Sequence, residues 1–198
     1  MIRVFNKFEP IPAGYVEVDT TSRGPFKDLS PFYLGPIQVA SGEYSEWCLL
    51  MENLWQYSKV YPCHAYLPAG RTKFPWNYEP TQEFFDWRAA GFDKRRANRY
   101  PMGKGVKPLY SWWHGKHLNY VDAKHQIYIP LYRDLVLKTE SYKKLYNWVL
   151  QGRDIALRDF DGYDHVSRNM TLKDVINDPK RSLGHAFIIY GLLTGELQ

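Results

Sequence analysis

Glu52, Trp55, Gln56 and Lys59 stand at helical spacing. At about 100° per residue they share one face of a helix. A carboxylate, an amide and an ammonium beside an indole suit acid–base work on a bound ligand. Glu52 follows the apolar Met51, and a carboxyl against apolar surface tends to have the raised pKa that a general acid or base requires. Along a helix Glu52 and Lys59 lie about 10 Å apart. That is too far for an i,i+4 ion pair, but it suits two groups flanking a ligand with Trp55 as an aromatic wall. The plain alternative is a solvated polar face on an amphipathic helix.

A second group of residues runs from Asp93 to Leu118. Lys94, Arg95, Arg96, Arg99, Lys104, Lys107 and Lys116 face a single acid, Asp93, with Tyr100, Tyr110, Trp112 and Trp113 interleaved. Basic side chains bind phosphates and aromatic faces stack bases. Gly103 and Gly105 would let backbone approach a phosphate closely. A solvated basic loop with its aromatics in the core is the competing reading. His114 and His117 form HxxH and His125 follows, but a zinc site needs further ligands at recognisable spacing, and Cys48 and Cys63 form no CxxC. No metal is expected. Asp159-Phe160-Asp161-Gly162 reads as an Asp-rich turn after a strand. His185, in an apolar stretch, reads as a satisfied core histidine.

The elements that position these groups follow from periodicity and breakers. Ile2 to Phe8 and Tyr15 to Val18 alternate as short strands, with Pro10, Pro12 and Gly14 turning the chain between them. Residues 20–36 read as loop. Tyr44 to Tyr61 carries the strongest helical pattern, through Trp47, Leu50, Leu54, Tyr57 and Tyr61, and Pro62 marks its end. Thr81 is placed to cap a helix ending at Gly91. Residues 92–120 read as a long irregular segment, the kind that tends to be functional or mobile. Ile127 to Leu137 is apolar, with Pro130 suited to a helix start. Thr139 caps a helix to Leu150, Ile155 to Leu157 suggests a strand, Thr171 caps a helix stopping at Pro179, and Leu183 to Leu193 forms an apolar terminal helix. The expected fold is α+β: one predominantly helical domain over residues 1–198 with a small N-terminal β element, and not a βαβ sheet.

Composition narrows the function classes. Aromatic residues make up 17% of the chain, which argues against disorder. The net charge of +5 favours anionic partners. Two cysteines give no disulfide framework. No apolar run approaches the length of a membrane span and the N-terminus lacks a signal-peptide pattern. A cytoplasmic, reduced location is expected, with both thiols as packing residues.

Two stretches together resemble the NADAR superfamily. Asp28-Leu29-Ser30-Pro31-Phe32-Tyr33-Leu34-Gly35-Pro36-Ile37 is similar to its LSNFYP-type loop. Glu52-Asn53-Leu54-Trp55-Gln56-Tyr57-Ser58-Lys59 is similar to its E-H-x-x-Q-x-x-K helix. The order of loop and helix fits, and Leu183-Gly184 is similar to an LG near the end of such domains. Pro31 stands in place of the loop Asn and Asn53 in place of the His. The family's later Asp/Trp-Gly segment has no clear counterpart; Trp112 and Trp113, or Asp161 in its turn, are the residues that could stand in for it.

The resemblance implies hydrolysis of an N-glycosidic bond to an ADP-ribose-like group. Its substrate would be ADP-ribosylated guanine in nucleic acid, DNA included, or in a nucleotide. Relatives cleave riboflavin-pathway intermediates. Glu52 would stabilise an oxocarbenium-like centre, orient water or act as acid and base. Lys59 would hold a phosphate or the ribose. Phe32 and Trp55 would sandwich a base or sugar face, with Ser30 and Gln56 in the same substrate-binding set. Arg23, Arg95, Arg96 and Lys104 would meet pyrophosphate or a DNA backbone. No metal or redox cofactor is required. Two readings compete with the hydrolase: a non-catalytic basic nucleic-acid-binding module, and an interaction protein that uses exposed aromatics to bind another protein.

Overall fold

The computed structural model describes residues 1–41 and 44–197. They fall into two compact units, one made of Met1–Leu34 with Ile129–Gln198 and the other of Gly35–Tyr128. The architecture is mixed α+β, with 38% helix against 18% strand. Among the described residues the strands are not gathered at the N-terminus as expected but spread over four small sheets.

In the first unit the strand Ile155–Asp159 has Ile155, Ala156, Leu157 and Asp159 buried. Such an unbroken apolar run suits a strand covered on both faces. It forms the middle of a parallel three-stranded sheet, with Ile2–Asn6 on one side and Val16–Asp19 on the other. The two N-terminal strands therefore exist where alternation placed them. They do not pair with each other, however, because a strand from far along the chain lies between them. Local pattern cannot see that pairing.

The helices of this unit begin at the expected caps. The Thr139 hydroxyl accepts from the Tyr142 amide at the start of Glu140–Leu150. Thr171 and Asp174 cap Leu172–Asn177 reciprocally. Pro130, expected at a helix start, lies instead inside a continuous helical run, because Ile129–Val136 follows directly on the π-helix Lys124–Tyr128. The loop before residue 34 is fastened to these helices. The Asp28 carboxylate accepts from the Ser141 amide at 3.1 Å, and the buried Tyr132 hydroxyl donates to the Leu29 carbonyl at 2.6 Å.

The centre of this unit is an ion pair. Asp159 closes the middle strand, and its Oδ2 lies 3.0 Å from His185 Nδ1 at the start of the terminal helix His185–Thr194. His185 Nε2 lies 2.7 Å from the Thr20 carbonyl. Both ring nitrogens face oxygens that can only accept, so the hydrogen-bonded form is the imidazolium. Burial alone would raise the Asp159 carboxyl. The His185 charge, its hydrogen bond and the Ala186 and Asp161 amides outweigh burial and bring it down to about 2. Gly184 makes room for this pair, since a Cβ there would lie 2.7 Å from Asp159 Oδ2. His185 is thus the satisfied core histidine expected, and Asp159 is a structural anion.

The second unit departs further from expectation. Residues 44–48, expected as helix, form the strand Tyr44–Cys48, antiparallel to Ile37–Ser41. Glu46 reaches back from this strand to the buried Arg88. Trp47 is exposed while Cys48 is buried, the alternation of a strand. The helix starts only at Met51 and ends at Tyr57, and all seven of its residues are buried.

Two further expectations give way. Thr81 sits at the N-cap of Gln82–Phe92, but its hydroxyl donates to the His64 carbonyl instead of capping. Gly91 lies inside that helix, not beyond it. Its reason is packing, because a Cβ there would lie 2.0 Å from the Tyr57 ring. The segment expected to be irregular contains the hairpin Tyr110–Trp113 and Lys116–Leu118. Its turn is His114-Gly115, with φ of 48° and 76°, the left-handed pair that a two-residue hairpin loop needs. Val60, Phe84 and Tyr110 form a buried cluster in this unit, with Phe85, Trp87 and Trp112 packed against it. Among the described residues no helix is long and apolar enough to cross a membrane.

Breaking the Asp159–His185 pair leaves a buried charge without its partner. Asp159→Asn is expected to cost about 3 to 5 kcal/mol of stability, measured by urea unfolding at neutral pH. A loss below about 1 kcal/mol would contradict the assignment. The Asp159 pKa is lowered on folding from 3.8 to about 2. Its contribution is therefore present above the unfolded value and lost as pH falls through the folded one, so the Asn variant is expected to lack that part of the acid transition.

Candidate functional site

The helix Met51–Tyr57 is too short to hold itself, so tertiary packing must do so. Its polar residues therefore point into the unit and not into bulk water. Glu52 keeps only 5% of its surface exposed. Gln56 Nε2 donates to Glu52 Oε1 at 2.8 Å, and Lys59 Nζ donates to Gln56 Oε1 at 2.8 Å. The amide is thereby oriented by both charges, its N–H toward the anion and its carbonyl toward the cation.

Lys59 does not ride on the helix, as its spacing suggested. The helix stops at Ser58, whose hydroxyl donates to the Leu54 carbonyl at 2.7 Å. Lys59–Val60 is then extended and pairs with Tyr110–Trp113, Lys59 standing opposite Ser111. This turn brings the ammonium back over the Trp55 ring, 4.8 Å from its centroid. Burial lowers the Lys59 pKa to about 8; the Glu52 charge opposes that fall and the Arg99 charge adds to it.

Trp55 is not an open wall for a ligand. It is buried, with Tyr128 at 5.0 Å and Tyr120 at 6.1 Å between ring centroids. It serves as the floor under Lys59. Tyr120 is half-buried and has the fully buried Lys124 over its ring at 4.3 Å. Lys124 opens the π-helix Lys124–Tyr128, a wide turn often found at functional positions. The sequence reading passed over Tyr120, Lys124 and Tyr128. Their signal was a lone lysine at helical spacing between two tyrosines, with Ala123 and Ile127 buried beside it.

Asn53 has a role that its motif position did not reveal. Fully buried, it donates to the Lys94 and Arg96 carbonyls at 3.0 and 3.1 Å and accepts from the Asn98 amide at 2.9 Å. Asn98 reaches the Tyr57 hydroxyl at 3.3 Å. The helix carrying Glu52 thus also latches the basic loop and brings Arg99 within electrostatic reach of Lys59. Lys94, Arg95, Arg96, Lys104 and Lys107 are exposed, as a phosphate-facing segment requires.

Trp112 and Trp113 divide between two faces. Trp112 shares the face of Val60 and Tyr110 and packs edge-on to Phe85 at 5.2 Å, so it belongs to the core rather than to a ligand. Trp113 falls on the Lys59 and Ser111 face but is itself buried.

Arg23, Ser30, Phe32 and Asp161 belong to the first unit. Arg23 is exposed and Phe32 half-buried. Ser30 is buried, and its hydroxyl accepts from the Phe32 amide at 3.4 Å, which shapes the loop. The Asp161 amide donates to Asp159 Oδ1 at 3.1 Å within the turn.

His117 stacks on Tyr110 with centroids 4.1 Å apart, and His114 occupies the hairpin turn. Among the described residues no three His, Cys, Asp or Glu side chains gather as a metal site. Both cysteines are free thiols. Burial pushes Cys48 up to about 12, whereas Cys63 is exposed and not the packing residue expected.

The chain matches no family model, and searches of curated proteins and of solved structures find no match.

Asn53→Ala removes three hydrogen bonds that hold residues 94–98. A stability loss of about 2 kcal/mol is expected, with faster hydrogen exchange at the Asn98 amide. Exchange as slow as in the parent protein would show that the loop is held by something else.

Proposed function

We propose that this protein is an N-glycoside hydrolase that releases an ADP-ribose-like group from guanine, with Glu52 as the reacting carboxylate. The observation that carries the reading is the Glu52–Gln56–Lys59 hydrogen-bonded chain, rooted in the buried Glu52. A buried carboxylate, a buried amide and a half-buried ammonium are held in fixed order. The similarity of residues 28–37 and 52–59 to the NADAR loop and helix supports the same chemistry.

In this scheme the bond from the ribose anomeric carbon to the base nitrogen breaks, and its electron pair leaves with the base. The sugar becomes oxocarbenium-like, and the Glu52 negative charge stabilises it. Water supplies hydroxide to the anomeric carbon, and its proton passes by way of the carboxylate to the departing base. Gln56 keeps the carboxylate from swinging away. Lys59, with a pKa lowered by burial to about 8, is still mostly protonated at neutral pH and holds a phosphate or ribose oxygen. The exposed Lys94, Arg95 and Arg96 attract the anionic substrate.

The test is incubation with an oligonucleotide bearing ADP-ribosylated guanine, with released ADP-ribose measured by mass spectrometry. The parent protein is expected to release it. Glu52→Gln, nearly isosteric, is expected to slow release by about 10²- to 10⁴-fold without loss of fold. Lys59→Met is expected to raise KM more than it lowers kcat. No release by the parent protein, or full release by the Gln variant, would remove Glu52 from this role.

A further inference from the structure

Far along the same unit, the loop between the paired strands Ala65–Tyr66 and Glu79–Pro80 has an unusual surface. Phe74 and Trp76 are 53% and 63% exposed, yet their rings lie parallel, 4° apart in plane with centroids at 5.5 Å. Tyr66 is exposed nearby in sequence. The two charged side chains of the loop, Arg71 and Lys73, are both cations and both exposed. No acidic residue occurs between Glu52 and Glu79.

The loop is held, not slack. The Asn77 side chain donates to the Thr72 carbonyl at 3.0 Å and to its hydroxyl oxygen at 2.9 Å. The Phe74 amide donates to the Thr72 carbonyl at 2.8 Å, and the Asn77 amide to the Phe74 carbonyl at 2.9 Å. From the hairpin, His117 Nδ1 donates to the Trp76 carbonyl at 3.0 Å, and the Tyr110 hydroxyl to the Tyr78 carbonyl at 2.7 Å. These anchors fix the backbone on which the exposed rings stand. Two large apolar rings are left in water in a set orientation; the charged side chains of their own loop are both cations, and the acid that follows it, Glu79, lies 3.4 Å from His117 Nε2.

We infer that Phe74 and Trp76, with Arg71 and Lys73, form a stacking site for single-stranded nucleic acid. Unpaired bases present flat faces that stack on such rings whatever their identity, and the adjoining phosphates meet the two cations. A rigid platform loses little entropy on binding. A protein partner would also accept the aromatics, but a loop whose two charged side chains are both cations matches a polyanion better. This inference goes beyond the hydrolase reading and does not need it.

The experiment is fluorescence anisotropy of a labelled oligothymidylate of about 12 nucleotides, without any modification, against the full chain. Binding by the parent protein is expected. The double variant Phe74→Ala/Trp76→Ala is expected to weaken it by about tenfold or more, and Trp76→Phe, which keeps a ring, to retain most of it. Arg71→Gln/Lys73→Gln is expected to flatten the slope of log affinity against log salt by about 1.4. Circular dichroism should be unchanged in all of these, since the side chains are exposed.

Three results would overturn the inference: no binding by the parent protein, equal affinity for a duplex of the same length, or parent-like binding by the ring-deleted variant. If that last result came with binding abolished by replacing Lys94, Arg95 and Arg96, the contact would lie on the basic loop instead. Because the oligonucleotide carries no cleavable group, failure here leaves the hydrolase reading standing. Inactivity on the modified substrate likewise leaves this one standing.

Discussion

A side-chain amide wedged between two opposite charges governs the second unit. Gln56 donates its N–H to Glu52, and its carbonyl oxygen accepts a hydrogen bond from Lys59, each at 2.8 Å. Removing an anion and a cation from water is costly, and each is tolerable only near the other. The amide passes their attraction along a chain in which each bond polarises the next. The consequence is visible at Lys59. Burial depresses its pKa to about 8, and the Glu52 charge prevents a further fall. A cation therefore persists near neutral pH in a place that would otherwise discharge it.

Much of the surrounding structure serves that arrangement. The helix Met51–Tyr57 is short and wholly buried, so it needs neighbours on every side. Gly91 permits Tyr57 to pack against the next helix without a gap. The hairpin Tyr110–Trp113 and Lys116–Leu118 lays a strand beside Lys59 and fixes which way its side chain leaves the backbone. Trp55 fills the space under the ammonium, with Tyr128 and Tyr120 against its ring. Asn53, on the same helix, ties down the basic loop through its backbone, which leaves the lysine and arginine side chains turned to solvent. The first unit has its own fixed point in Asp159 and His185, which join the middle strand to the terminal helix.

Features written locally were legible in the sequence. Thr139 and Thr171 announce their helices because capping is a matter of three residues. The grouping of Glu52, Trp55, Gln56 and Lys59 was visible in their spacing, although Lys59 reaches its place by leaving the helix. Features that depend on distant partners were not. Trp47 fell into helical step with Leu50 and Leu54, which hid the strand Tyr44–Cys48. The parallel pairing of Ile155–Asp159 with both N-terminal strands depends on residues more than a hundred positions apart. The sequence left a ligand-facing site and a solvated face both open for the polar residues of the Glu52 helix, because the segments packed against that helix, in residues 93–100 and 110–128, lie well downstream. Lys124 escaped notice because lysines are ordinarily exposed, and only its position among buried neighbours sets it apart.

The coupling of Glu52 to Lys59 can be read directly by following the Lys59 side chain in an NMR titration of the intact protein and of Glu52→Gln. The parent protein should titrate at Lys59 with a midpoint near 8. The Gln variant should titrate lower, because it loses the charge that opposes burial. A midpoint near the ordinary lysine value of 10.5 in the parent protein, or no difference between the two, would contradict a buried and coupled pair.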